Sequence, residues 1–161
     1  MPADRTTWQT PPELVDRLVE AYGPLALDPC TAADNPLGAG VFYTAQIDGL
    51  NRRWPPFEGR SLIFVNWPYS RQTNFLWAKK VNWEGSRRRL HTTVAALVPV
   101  STSAKWWRRL QPEEYHFLPK RVAHIDPDTG ERVRGSNFDS AVLVWTSDLA
   151  RNPFGLGRVL V

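Results

Sequence analysis

The chain of 161 residues has a single cysteine, Cys30. That excludes an intramolecular disulfide and any zinc cluster built on paired CxxC ligands, so the expectation is an intracellular protein without a structural metal. Long apolar runs are missing too: no stretch approaches the roughly 20 residues that a membrane helix needs. The first residues are Pro, Asp, Arg and Thr rather than a basic segment followed by an apolar run. A soluble, cytoplasmic chain without a membrane partner is therefore expected. Repeats, low-complexity tracts and an internal boundary are also absent. The simplest organisation is one domain over 1–161, large enough to bury a core but too short for a separate recognition domain.

The formal charge is +4. Arginines fall in groups, at Arg52-Arg53, Arg87-Arg88-Arg89 and Arg108-Arg109. Such grouping suits a polyanionic partner, although a solvated basic surface is the ordinary explanation. The company of the arginines shifts the balance. Five of the eight tryptophans, Trp8, Trp54, Trp67, Trp106 and Trp107, lie in polar segments, and interleaved cations and stacking surfaces are how nucleic-acid sites are built. For any single tryptophan, core packing is the ordinary role.

Along the chain, Thr10-Pro11-Pro12-Glu13 predicts a helix start, with Thr10 as the N-cap, Pro11 in the first helical position and Glu13 completing a capping box. Leu14, Val15, Leu18, Val19 and Tyr22 form the apolar stripe, and Gly23-Pro24 ends it. Leu25-Ala26-Leu27 reads as a buried strand entering the Asp28-Pro29 turn, residues 31–40 as a loop or short irregular helix, and Val41–Thr44 as a second short strand. A central strand is expected over Ser61–Asn66. A helix follows from about Gln72 to Trp83, then an exposed basic connection through Gly85 and Arg87–Arg89. Thr92–Val100 is the most strand-like run. Ser101–Ser103 lead into a helix or turn bearing Trp106 and Trp107. Tyr115–Leu118, Arg121–Ile125 and Ser140–Trp145 read as strands, with a strong turn at Asp126–Gly130, and the last fifteen residues as a loosely structured tail.

The stretch Asn66-Trp67-Pro68-Tyr69 stands out. The apolar run before it and the rigid Pro68 place an amide and an aromatic ring at a strand's carboxyl edge, where open α/β sheets bind ligands. Strand and helix alternation followed by an antiparallel hairpin suggests an α/β, Rossmann-like class I methyltransferase fold: a compact, mostly parallel sheet with a C-terminal antiparallel hairpin.

Three segments in order, TPPELVDRLV at Thr10–Val19, LDPC at Leu27–Cys30 and LIFVNWPYS at Leu62–Ser70, resemble the amino-methyltransferases that modify adenine in DNA with S-adenosylmethionine. The resemblance is to the short Dam-type enzymes of bacteriophages in particular. Trp8, Asp48-Gly49-Leu50 before Trp54, Val98-Pro99-Val100 before Trp106-Trp107, Arg121 after Phe117, and Ser140-Ala141-Val142 extend it over most of the chain. The resemblance implies an adenine-N6-specific DNA methyltransferase acting in a host cytoplasm, with no metal. Its cofactor site would comprise Trp8, Thr10, Pro11, Asp28, Pro29, Cys30 and Asp48. Thr10 would help hold the cofactor carboxylate, Asp28 would face its ammonium or ribose, and Asp48 its adenine or ribose.

The resemblance assigns catalysis to Asn66, Trp67, Pro68 and Tyr69, in place of the family's (D/N)-P-P-(Y/F). An exocyclic amine needs hydrogen-bond acceptors more than a strong base; the Asn66 oxygen and the residue 67 carbonyl supply them, and Tyr69 offers a stacking face for a flipped base. Two departures are visible: Trp67 replaces the first proline, and Cys30, Thr31, Ala32 and Ala33 follow Asp28 in place of a glycine-rich loop. Candidate DNA contacts are Arg87, Arg88, Arg89, Trp106, Trp107, Arg108 and Arg109. Asn66 argues against cytosine N4 methylation, whose enzymes more often have Ser or Thr there. Two rivals are a protein glutamine methyltransferase, which would label protein and not DNA, and a catalytically silent DNA-binding member of the fold, which would not bind S-adenosylmethionine. No target-recognition domain is visible, so specificity would reside in loops or in a second subunit of a homodimer.

Overall fold

The computed structural model describes residues 8–88, 90–133, 136–149 and 151–155, together with the backbone of 159–160. Arg89 lies outside the described residues. In chain order the elements are α1 (Pro12–Tyr22), β1 (Leu25–Asp28), β2 (Val41–Phe42), β3 (Ser61–Val65), α2 (Asn74–Arg88), β4 (Thr92–Pro99), β5 (Glu114–Phe117), β6 (Ser140–Trp145) and β7 (Val159–Leu160), with a 3-10 turn at Trp107–Arg109 before β5.

The strands form one seven-stranded sheet in the order β2-β1-β3-β4-β6-β5-β7. β2, β1, β3 and β4 are parallel, whereas β6, β5 and β7 join by antiparallel pairing. The mixed α/β class expected from the sequence is present, but the sheet is parallel only over its first half. Adjacent parallel strands need a crossover. α2 supplies one between β3 and β4, and after β4 the described chain offers only the three-residue 3-10 turn.

Alternation along the strands sorts the core into two layers. Leu62 and Phe64 of β3, Ala95 and Leu97 of β4, and Val142 and Val144 of β6 meet Leu14, Val15, Leu18 and Tyr22 of α1. The intervening Ile63, Val65, Val94, Ala96, Leu143 and Trp145 meet Trp77, Ala78 and Val81 of α2. All of β3 and β6 is buried, which accounts for their unbroken apolar sequences.

Four local expectations are corrected. α1 begins at Pro12 with Pro11 in the cap position and no side-chain cap bond; Thr10 is drawn to Asn66, and Glu13 pairs with Arg132 at 2.6 Å. α2 runs on to Arg88, because Gly85 lets it cross the Trp145 ring at a distance no Cβ would tolerate. Residues 121–125 form no strand beyond isolated bridges of Ile125 to Gln9 and Arg132. The tail adds the edge strand β7 against β5. No helix among the described residues is long and apolar enough to cross a membrane.

Candidate active site

Because β2, β1, β3 and β4 are parallel, their carboxyl ends share one edge of the sheet, the edge at which α/β sheets bind ligands. A cleft of about 880 Å³ opens there, lined by Asp28–Ala33 after β1, Thr44–Gln46 and Asp48–Leu50 after β2 and Asn66–Ser70 after β3. The loop after β2 meets the turn after β1 at Gly49, and a bond within the loop fixes that glycine. A Cβ on Gly49 would collide with the Pro29 carbonyl oxygen, so only glycine permits that approach. The fully buried Trp54 then donates its indole N–H to the Gly49 carbonyl at 2.8 Å. Asp48, at φ +59°, is thereby brought to the same cleft as Asp28.

Asp28 is 4% exposed. Its Oδ1 accepts the Cys30 backbone N–H at 3.0 Å. Burial pushes its carboxyl up to about 6, opposed by hydrogen bonds from Cys30 and Thr31 and, among the described residues, by no cationic side chain. A buried carboxylate without a counter-charge is unfavourable, so this floor of the cleft favours a cation. Cys30 lines the cleft beside it. Its thiol is pushed up, first by burial and then by the charges of Asp28 and Asp48, which keeps it a thiol and not a nucleophilic thiolate.

Asn66 follows β3 and is hydrogen-bonded at both ends of its amide. Nδ2 donates to Thr10 Oγ1 at 2.9 Å, and Oδ1 accepts the Tyr69 hydroxyl at 2.8 Å. The same hydroxyl lies 2.6 Å from the Leu97 carbonyl of β4. Burial raises the Tyr69 hydroxyl well above the usual tyrosine value, so it remains a donor. Trp67 turns its ring into the core: it is 1% exposed, stacks on Trp77 at 6.1 Å and 6°, and donates Nε1–H to Asn74 Oδ1 at 3.0 Å. Pro68 is exposed and Tyr69 half-buried.

Of the remaining residues expected at the site, Trp8, Thr10 and Pro29 also line the cleft, while Pro11 is buried beside it at the start of α1. The wall opposite β3 is supplied by residues that no local sequence motif marks, His124, Ser136, Asn137 and Phe138, from the connection between β5 and β6. Phe138 meets Tyr69 edge-on at 5.9 Å, and His124 lies 6.1 Å from Trp8. Burial lowers the His124 imidazole pKa, partly offset by a hydrogen bond to the Gln9 backbone. The Gln9–Ile125 bridge and these ring contacts bring the segment to the site, and such long-range contacts leave no local pattern.

The basic groups separate. Arg88 is turned inward, its Nε 2.7 Å from Glu84 Oε2 and its other nitrogens on the carbonyls of Trp54 and Pro55. Arg87 is bound to the same carboxylate at 2.9 Å. Both end α2, whose 15 residues rise about 22 Å away from the cleft edge. Trp107 is in the core, and Trp106 is half-buried against Trp67. Arg108 and Arg109 are exposed, with Arg109 5.6 Å over the Phe75 ring.

A search among curated proteins gave no match. The family model for DNA N-6-adenine-methyltransferase (Dam) matches residues 1–156. That match takes in α1, all strands of the cleft edge and the loop that closes it, so this chain belongs to the Dam family and is an enzyme that methylates adenine in DNA at N6.

Proposed function

We propose that the cleft between Asp28 and Asn66–Tyr69 is where methyl transfer takes place, with S-adenosylmethionine as the donor. The observation that carries this reading is the convergence of Asp28, Asp48, Asn66 and Tyr69 on one cleft at the carboxyl edge of a sheet. The residues present fit that donor. Asp28 is a buried carboxylate with no cationic partner among the described residues, and it would hold the donor's ammonium; Asp48 is at hand for ribose hydroxyls. The half-parallel, helix-flanked sheet supports a Rossmann-like class I arrangement in a single domain.

When bound, S-adenosylmethionine supplies a sulfonium methyl whose carbon takes the adenine N6 lone pair while the carbon–sulfur pair leaves with sulfur. The chain holds the other partner. Asn66 Oδ1 and the Trp67 carbonyl accept the two amine protons and orient the nitrogen lone pair, a contribution of alignment and electrostatics. The nitrogen carries a positive charge once the new bond has formed and loses one of its protons to solvent, since the two oxygens accept hydrogen bonds but are too weakly basic to keep it. Tyr69 and Phe138 wall the space for a base taken out of its stack. The Trp67 indole does not obstruct that space, since it is sequestered against Trp77. DNA approaches the same edge, so Arg108 and Arg109, with the exposed Arg71 and Lys105 on the segments that leave β3 and β4, contact phosphates, and Trp106 supports that surface. Arg87 and Arg88 serve the fold at the far end of α2.

Asn66→Ala tests the assignment. Methyl transfer to DNA falls by at least about 100-fold, while calorimetric binding of S-adenosylmethionine is retained. Undiminished transfer removes Asn66 from the reaction.

A further inference from the structure

We propose that duplex DNA engaged at the cleft edge continues along the outer face of α2, where Trp83 and the cations around it hold its backbone. This rests on the reading, given above, that DNA approaches the carboxyl edge of the sheet. Residues 50–57, 71–88 and 104–111 together cover one side of the sheet. Lys80 fastens the first segment to α2 by donating to the Arg52 carbonyl at 2.8 Å. Asn82 fastens the third: its amide donates to the Arg109 carbonyl at 2.6 Å and accepts the Gln111 backbone N–H at 2.8 Å. These segments carry ten of the chain's 20 lysines and arginines but one of its 16 acidic residues, Glu84. Glu84 is buried and enclosed by Lys80, Arg87 and Arg88. Arg53 and Lys79 are exposed and form no ion pair among the described residues. Across the sheet, α1 carries Glu13, Asp16 and Glu20 against Arg17 alone, so the positive charge is one-sided.

Trp83 stands in the middle of this surface, 67% exposed, and Leu76, two turns before it, is 49% exposed. Lys79 falls between them on the same stripe. Beside Trp83 a shallow groove of about 400 Å³ reaches Asn51 and Arg53. An exposed indole among free cations matches a nucleic-acid backbone: the ring packs on sugars while the cations meet phosphates. A second copy of the chain does not match, because two-fold pairing through this stripe sets Arg53 and Lys79 against the same cations. The stripe is also continuous with the cleft edge, since Arg109 lies over Phe75 in the first turn of α2. From Phe75 to Trp83 the helix rises about 12 Å, the length of about four base pairs. The duplex bends round the start of α2 to follow it, a deformation that the added contacts offset.

The test compares methyl transfer to mixed-sequence duplexes of about 8 and about 30 base pairs. The shorter, about 27 Å long, covers the cleft edge and leaves the α2 stripe bare. In the double variant Arg53→Gln with Lys79→Gln, KM for the longer duplex rises about tenfold with kcat unchanged, and the slope of log affinity against log salt falls by about 2. Trp83→Ala raises the same KM about fivefold and leaves the salt slope as it was. With the shorter duplex both variants match the parent, and their melting temperatures match it too, because the altered side chains are exposed. A KM for the longer duplex within twofold of the parent in both variants overturns the proposal. Equal losses with the two lengths place these residues at the cleft edge and also overturn it. So does a dimer, seen by sedimentation, that either variant converts to monomer, which makes the stripe a subunit contact. Loss of polyglutamate binding with DNA binding intact makes the partner an acidic protein and is a further contradiction. If Asn66→Ala transfers methyl undiminished, the reading of the cleft fails, while fluorescence anisotropy of the longer duplex, with its salt slope, still decides the role of the α2 face.

Discussion

Asp28 serves two opposed demands. Its carboxyl is raised to about 6 by burial, so the folded chain holds that proton more tightly than the unfolded chain does. Its contribution to stability is therefore fully present below about pH 4 and is lost as pH rises through about 6. At neutral pH the ionised group opposes folding by up to about 3 kcal/mol, in exchange for a carboxylate that attracts a cation. Asp28→Asn is expected to raise the melting temperature of the cofactor-free protein at pH 7 and to weaken S-adenosylmethionine binding by at least about tenfold. Binding to the unaltered protein is expected to weaken as pH falls below about 6, because the proton competes with the ammonium. Scanning fluorimetry and calorimetry between pH 5 and 8 check both. Trp67 is the complementary case. Restoring the family's proline with Trp67→Pro removes an indole stacked on Trp77 and bonded to Asn74. The loss is about 3–5 kcal/mol, read as a fall in denaturation midpoint, and activity falls rather than rises. The sequence marked both residues as important. It left open where the Trp67 ring points, since that depends on Trp77, ten positions on along the chain and one turn into α2.

Among the elements, α2 shows where a local reading stops short. Gly85 and the arginines after it look like an exposed connection, because glycine and a charge run ordinarily end a helix. Two tertiary contacts override that. The glycine lies where Trp145 passes, and Arg88 reaches the Trp54 and Pro55 carbonyls; within the helix itself Arg87, Arg88 and Lys80 close on Glu84, which is 1% exposed. Arg88→Ala is thus expected to lower stability by about 3 kcal/mol, through loss of a partner for a buried charge. DNA affinity should be unchanged, as urea unfolding and fluorescence anisotropy would report. The strands were easier to read. β3, β4 and β6 are runs of apolar and β-branched residues buried on both faces, and that pattern is visible without knowing their neighbours. The sense of β6 and β5 in the sheet depends on connections that carry no periodic signal.

At the scale of the whole molecule, the site is an assembly of distant segments. The turns after β1 and β3 were legible because Asp-Pro and Asn-Trp-Pro-Tyr are local in sequence. The wall from His124 to Phe138 was not, because its place depends on a bridge between Gln9 and Ile125. The same long-range geometry redistributes the basic residues. Arg87 and Arg88 close on Glu84 at the far end of α2, while Arg71, Lys105 and Arg108 are exposed on the segments that follow β3 and β4. Neutralising these three to Gln should weaken DNA binding similarly for all sequences and reduce the slope of log affinity against log salt by about 1 for each phosphate no longer neutralised. The central claim is methylation of adenine N6 in DNA from the cleft at Asn66–Tyr69. Its most direct measurement is incubation with labelled S-adenosylmethionine and mixed-sequence DNA, followed by nucleoside analysis, with Asn66→Ala alongside. Label in N6-methyladenine that vanishes in Asn66→Ala is the predicted result, and label in N4-methylcytosine, in protein alone, or undiminished in Asn66→Ala would contradict it.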